Sequence, residues 1–154
     1  MKHRKIFSLL FLGMCLLSGS AAGETLACTV REGQYVNVRN QPSSSAAAWG
    51  VLHTGDVIDT NPAEIRNGFF KTTYKDHTAY VSVRYFEIAV EQDFIVEANG
   101  RVRMRKSPGG QASGFIAPGT RVHVIAWQYG ADGGKWGRCA GGSYILADYL
   151  SPMN

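Results

Sequence analysis

The chain contains its own pattern twice. Tyr35-Val-Asn-Val-Arg39 with Pro42 returns 66 positions later as Arg101-Val-Arg-Met-Arg105 with Pro108. Gly50-Val-Leu-His-Thr-Gly55-Asp-Val-Ile58 returns as Gly114-Phe-Ile-Ala-Pro-Gly119-Thr-Arg-Val122, and Ala79-Tyr-Val-Ser-Val-Arg-Tyr-Phe86 as Ser143-Tyr-Ile-Leu-Ala-Asp-Tyr-Leu150, both 64 positions on. A weaker block, Gly68-Phe-Phe70 with Gly134-Lys-Trp136, falls between them. Four blocks in one order define a duplication, so any fold must be built twice, from units of about 60 residues. A unit of that size has few interior positions and must fill them economically.

Each copy reads as short strands between turns. Val36 and Val38, like Val102 and Met104, alternate with polar residues, the period of a half-buried strand. His53-Thr-Gly-Asp56 and Ala117-Pro-Gly-Thr120 are turns between apolar pairs, and Lys75-Asp-His77 and Gly141-Gly142 are turns of a second hairpin. Beyond the N-terminus no segment keeps a 3.6-residue period over a helix's length. The pattern predicts an all-β protein of two small β-barrels in tandem, over 23–90 and 91–154. Ile88-Ala-Val-Glu-Gln-Asp93, without Gly or Pro, is expected as a short connector that holds the two together.

The N-terminus reads differently. Lys2-His-Arg-Lys5 precedes an apolar run, Ile6 to Leu17, interrupted only by Ser8 and Gly13; small residues, Ser18 to Gly23, follow. A charged start, a short apolar segment and small residues at Ser20 and Ala22 describe a cleaved secretory signal helix over 1–22. The run is short for a membrane span and no second one follows, so the mature chain is expected not to insert stably in a membrane. Lys2, Arg4 and Lys5 leave with the signal, so of 16 Lys and Arg 13 remain, against 12 Asp and Glu. The formal charge of +4 therefore falls to +1, too little for a nucleic-acid binder that relies on many phosphate contacts. Cys15 leaves as well, and Cys28 and Cys139 remain in an oxidising, exported setting. They are either one disulfide or two buried thiols.

The repeated residues resemble the bacterial SH3 (SH3b) family, with its opening L-N-V-R and Pro-Ser, central G-x-x-x-x-G, an aromatic, and closing G-W-V-x-x-x-Y-L. Copy one supplies Val36-Asn-Val-Arg39, Pro42-Ser43, Gly50 and Gly55, Phe70, Tyr80-Val81 and Tyr85-Phe86; copy two supplies Val102-Arg-Met-Arg105, Pro108, Gly114 and Gly119, Trp136, Tyr144-Ile145 and Tyr149-Leu150. The chain departs from the pattern where the closing Trp is Tyr80 and Tyr144, the Gly before it is Ala79 and Ser143, and Arg103 replaces Asn. The resemblance implies an SH3-like barrel in each copy and, as a ligand class, peptidoglycan or its peptide stem. Of the matched positions, Gly55 and Gly119 are expected at tight turns, and Tyr85 and Tyr149 as packing aromatics.

Catalysis finds little support in the sequence. There is no G-x-S-x-G, H-E-x-x-H, Walker loop or zinc-spaced Cys/His group, so no catalytic residue, metal or cofactor is expected. Binding is the expected activity. Trp49, Trp127 and Tyr129 lie where a barrel would display a groove, and such rings give large contact area at small entropic cost; the alternative is that they fill the contact between barrels. Arg101, Arg103 and Arg105 alternate and so share a strand face, with Lys106 beside them, whereas copy one has only Arg39 there. That stripe would receive an anionic ligand or an acidic partner, unless Glu97 or Asp148 neutralises it. These features lead to two expectations for a periplasmic or secreted protein: a module binding peptidoglycan, or an adaptor, inhibitor or assembly factor that scaffolds another envelope protein.

Overall fold

Alternating apolar residues become strands throughout residues 23–154, which the structure, a computed structural model, describes. The expected signal peptide, 1–22, lies outside the described residues. Thirteen strands follow in order: β1 Glu24–Cys28, β2 Val36–Arg39, β3 Ala48–Leu52, β4 Val57–Thr60, β5 Phe69–Tyr74, β6 His77–Ser82, β7 Phe86–Val96, β8 Val102–Arg105, β9 Ala112–Ile116, β10 Arg121–Tyr129, β11 Lys135–Cys139, β12 Tyr144–Leu146 and β13 Leu150–Pro152. Among the described residues helical structure is limited to three single 3-10 turns, at Pro62–Glu64, Val83–Tyr85 and Ala147–Tyr149, and no helix is long and apolar enough to cross a membrane. The fold is all-β.

The duplication is visible in the pairing. Leu26 faces Ile58 as Phe94 faces Val122, and Cys28 faces Phe86 as Val96 faces Leu150. Gly55 and Gly119 both have positive φ, 91° and 81°, and their amides donate to the carbonyls of Cys28 and Val96. A side chain at either position would be strained in that left-handed conformation.

These equivalences make β7 two strands in one. Its first residues close copy one against β1, and its last residues open copy two against β10 and β13. The expected connector Ile88–Asp93, and the boundary placed between 90 and 91, lie inside this continuous strand. The physical reason is the absence of any chain-turning residue there: a β-permissive run without Gly or Pro carries straight on. β10 then pairs along most of β7, from Arg121↔Ile95 to Gln128↔Glu87, with an irregularity between Val124 and Ala126. Copy two thus reaches back onto the closing strand of copy one.

The sheets do not close into the two barrels that were expected. Nine strands run β4-β1-β7-β10-β11-β12-β8-β9 with β13 on β7, and four run β3-β2-β6-β5. In copy two the chain of pairings is unbroken from β7 to β9, whereas in copy one it breaks between β4 and β5. There Asn61 to Gly68 intervenes, containing Pro62 and a 3-10 turn, and two buried threonines bridge the gap by side chain instead. Thr60 Oγ1 donates to the Lys71 carbonyl at 2.7 Å, and Thr72 Oγ1 to the Asp59 carbonyl at 2.9 Å. Hydroxyl bonds stand in for ladder bonds, so the buried threonine hydroxyls are satisfied where the sheet splits.

Two cores of unequal depth result. The first gathers 12 buried residues, including Leu26, Val38, Phe70, Val81 and Phe86. The second has three, Val96, Val102 and Ile145, with half-buried neighbours such as Met104, Ile116 and Leu150. Phe94, Val124, Ala126 and Trp136 are buried as well, so the interior of copy two extends along β7, β10 and β11 beyond that cluster.

No disulfide joins Cys28 and Cys139; both thiols are free. Cys28 sits opposite Phe86, and Cys139 opposite Val124, which itself faces Gln92. Six residues of β7 at about 3.3 Å each put them on the order of 20 Å apart along the strand, far beyond the roughly 7 Å limit between bridged Cα atoms. Each thiol serves its own core, and burial raises both pKa values. The folded protein is therefore expected to melt at the same temperature with or without reductant, and Cys28 to resist alkylation until unfolding. A melting temperature lowered by reductant would contradict this.

Candidate functional site

Two grooves occupy equivalent places on the two copies. The first, about 970 Å³, is lined by Tyr35, Asn37, Arg39 and Tyr85. The second, about 560 Å³, is lined by Arg101, Arg103, Arg105 and Tyr149. Repetition therefore reproduces the groove and changes its chemistry, from Tyr-Asn-Arg to Arg-Arg-Arg along the strand face. The grooves also differ in their far walls. Ser107, Pro108, Ala131 and Tyr144 of copy two complete the first, so that groove exists only when both copies are folded together. Phe115 and Trp136, from within copy two, complete the second.

Strand alternation sets the arginines. Val102 is buried on one face of β8, and Arg101 and Arg103 stand exposed on the other, as expected. Their guanidiniums lie 5.3 and 5.6 Å from the centre of the Phe115 ring, itself half exposed across the β8–β9 pair. Arg105 behaves differently: its Nη1 donates to the Gly110 carbonyl at 2.7 Å, as Arg39 Nη1 donates to the Ala46 carbonyl at 2.6 Å. The repeated arginine braces the loop that follows it, and in copy two it also lies 5.8 Å over Trp136. Lys106 is exposed at the strand end. Neither Glu97 nor Asp148 neutralises the stripe: among the described residues none of the four cations makes a salt bridge.

The expected aromatics divide. Tyr129 is 5% exposed and belongs to the core of copy one, edge-on to Phe70 at 5.8 Å. Its hydroxyl donates to the Glu24 carboxylate at 2.6 Å, a carboxylate shared with Lys135 at 3.4 Å. Burial and that carboxylate hold the phenol protonated well above its ordinary range. Trp127 is half-buried, edge-on to Phe94 at 5.3 Å, and so close to β11 that a Cβ on Gly137 would fall 3.1 Å from its ring. Tyr129 thus fills the contact between copies while its edge reaches the lining of the first groove, whereas Trp127 packs within copy two, outside both grooves. Trp49, expected at a groove, lies on β3, 46% exposed and edge-on to His77, outside both grooves. Tyr85 and Tyr149, expected as packing residues, line the grooves at 38% and 39% exposure. Each ends the 3-10 turn before a closing strand, and that shared placement was the available signal.

A separate polar cluster sits on β7 and β10. His123 Nδ1 contacts Asp93 at 3.0 Å and Nε2 contacts Glu91 at 2.8 Å, while Arg121 also donates to Asp93. In copy one the equivalent cross-strand pair is Thr25 Oγ1 to Asp59 at 2.5 Å. Glu91 first and Asp93 second raise the His123 pKa above 6.5, and Arg121 first and His123 second lower that of Asp93. The His123 contribution is present below the ordinary histidine range and fades as pH rises through the raised pKa; that of Asp93 is present above the ordinary carboxylate range and fades on acidification. Arg121, His123 and Glu91 are exposed and Asp93 is half-buried at the surface, so the effect on stability is small. An NMR titration is expected to place His123 above 6.5, and Glu91→Gln to lower it; an unshifted imidazole in the parent protein would contradict the geometry.

His123 also neighbours Val124, the partner of Cys139, which puts the two reactive residue types on adjacent strands. They do not form a nucleophilic pair. The imidazole is engaged on the exposed face, whereas Cys139 packs against the second core with a pKa raised by burial; an activated thiol needs the opposite. Among the described residues no group of three or more His, Cys, Asp or Glu is arranged to hold a metal.

No family model matches the chain, and no curated protein matches it. Among solved structures it is similar to NlpC2 of Trichomonas vaginalis, at 12% identity and a TM-score of 0.37 over 86% of this chain and 49% of that one. It is also similar to NlpC1 of the same organism, at 15% and 0.36 over 88% and 48%. The chain spans about half the length of each of these proteins.

Proposed function

We propose that the chain is an exported, non-catalytic binding module, a tandem pair of bacterial-SH3-type units, that recognises peptidoglycan or its peptide stem at the cell envelope. The observation that carries this reading is the pair of repeat-equivalent grooves. In the first, Tyr35, Tyr85 and Tyr144 offer rigid, partly exposed rings for the flat faces of sugars or peptide units, and Asn37 adds an amide for hydrogen bonding. Because both copies build that groove, the duplication itself supports a binding role: one copy alone would lack a wall.

Sedimentation with insoluble peptidoglycan tests this. The parent protein is expected to pellet with the wall, and Tyr35→Ala combined with Tyr85→Ala to remain in the supernatant with its fold intact. Parent protein that stays in the supernatant would overturn the reading.

The second reading, an envelope adaptor, inhibitor or assembly factor, draws on a different surface. β3 is an edge strand of the four-stranded sheet and exposes Trp49 and Val51, two residues apart, outside both grooves. An open edge with apolar side chains suits a protein partner adding a strand. Trp49→Ser would weaken capture of such a partner and leave wall binding unchanged.

A further inference from the structure

We infer that the second groove is a receptor for the free carboxylates of a peptide. The inference rests on the binding reading above and assigns a ligand class to one of its two grooves. Three observations carry it. Arg101, Arg103 and Arg105 all line one groove, and among the described residues none is paired with an acid. Three cations on one face without counter-charge repel one another, and an incoming anion relieves that repulsion.

Next, the two exposed guanidiniums are already placed. Arg101 and Arg103 rest against the Phe115 ring, which restrains their long side chains before any ligand arrives. Among the described residues the arginine side-chain hydrogen bonds are those of Arg39, Arg105, Arg121 and Arg138, so the planar N–H forks of Arg101 and Arg103 are free to meet a carboxylate with two parallel hydrogen bonds. Alternate residues of a strand are about 6.6 Å apart, so the pair suits two carboxylates a few bonds from each other, as in a peptide with an acidic residue near its C-terminus. Of the rest of the lining, Tyr149 and Leu146 would contact the body of the peptide, while Trp136 is buried beneath Arg105.

Finally, the feature belongs to one copy. The positions of Arg101, Arg103 and Phe115 are Tyr35, Asn37 and Val51 in copy one, while the loop brace persists as Arg39 and Arg105. The brace recurs in both copies, whereas copy one is built without the other two arginines, and their convergence on one groove supports a ligand role.

The test uses the full mature chain and two synthetic probes: alanyl-glutamyl-lysyl-alanine with free carboxylates, and the same peptide with both carboxylates amidated. Titration followed by tryptophan fluorescence and calorimetry is expected to show binding of the free acid that weakens about tenfold or more on amidation, the effect of losing charge-assisted bonds. Arg101→Gln with Arg103→Gln, both exposed and without a folding role, is expected to bring the free acid down to the affinity of the amide. Absence of free-acid binding, equal binding of acid and amide, or a double variant that binds as the parent does would each overturn the proposal. Wall sedimentation in parallel separates the two claims. A protein that pellets with peptidoglycan but does not distinguish acid from amide keeps the wall reading and overturns the carboxylate receptor. A protein that distinguishes the probes but stays in the supernatant supports the receptor and overturns the wall reading.

Discussion

Tyr129→Ala is expected to destabilise the whole chain by about 3–5 kcal/mol, the usual cost of deleting a large buried aromatic. Tyr129 is a residue of copy two, at the end of β10, yet it is buried in the core of copy one. Truncation opens a cavity beside Phe70 and also strips Glu24 of the hydroxyl that donates to its carboxylate, leaving only the longer contact with Lys135. Tyr129→Phe separates the two terms: it keeps the ring and removes the bond, and should cost about 1–2 kcal/mol. Urea unfolding of the three proteins checks both values. If Tyr129→Ala cost no more than an exposed substitution, the ring would not be the plug between copies that its burial indicates.

Phe70→Ala should cost a similar amount, about 3–5 kcal/mol, from the other side of the same contact. Phe70 is fully buried and edge-on to both Phe86, 6.1 Å away, and Tyr129. One ring therefore touches the closing strand of its own copy and the intruding tyrosine of the other. Because the two residues share one cavity, Phe70→Ala with Tyr129→Ala should fall short of additive by about 0.5–1.5 kcal/mol, the range of aromatic pair coupling. A strictly additive pair would mean that the rings do not support each other. The coupling also bears on binding, since the far wall of the first groove comes from the copy that Tyr129 anchors.

How much of this was legible beforehand can be seen residue by residue. Period-2 alternation at Val36, Val38, Val102 and Met104 located β2 and β8, and alternation also put the arginines on one outward face. Such local signals survive because a strand's side-chain period is set by its backbone. The continuity at Ile88–Asp93 was present as the lack of any turn residue, and the strand runs through the expected connector. Other features depend on tertiary placement. Nothing near Tyr129 says that β10 extends past its own copy, because that follows from pairing with β7, more than 30 residues earlier. An even cysteine count says nothing about separation, and Cys28 and Cys139 turned out to belong to different cores. The split between β4 and β5 reflects the Pro62 turn and the threonines that compensate for it, a balance no periodicity reports.

The central claim is that the two copies form one cooperative unit, joined by β7 and plugged by Tyr129. Tryptophan placement allows a direct test: Trp49 lies in copy one, and Trp127 and Trp136 in copy two. Urea unfolding followed by fluorescence, once in a Trp49→Phe variant that reports copy two and once in a Trp127→Phe, Trp136→Phe variant that reports copy one, should be referenced to far-UV circular dichroism of the same variant. The account predicts that in each variant fluorescence and circular dichroism follow a single coincident transition. A copy-two signal lost at lower urea than the rest, with copy one still folded, would contradict it.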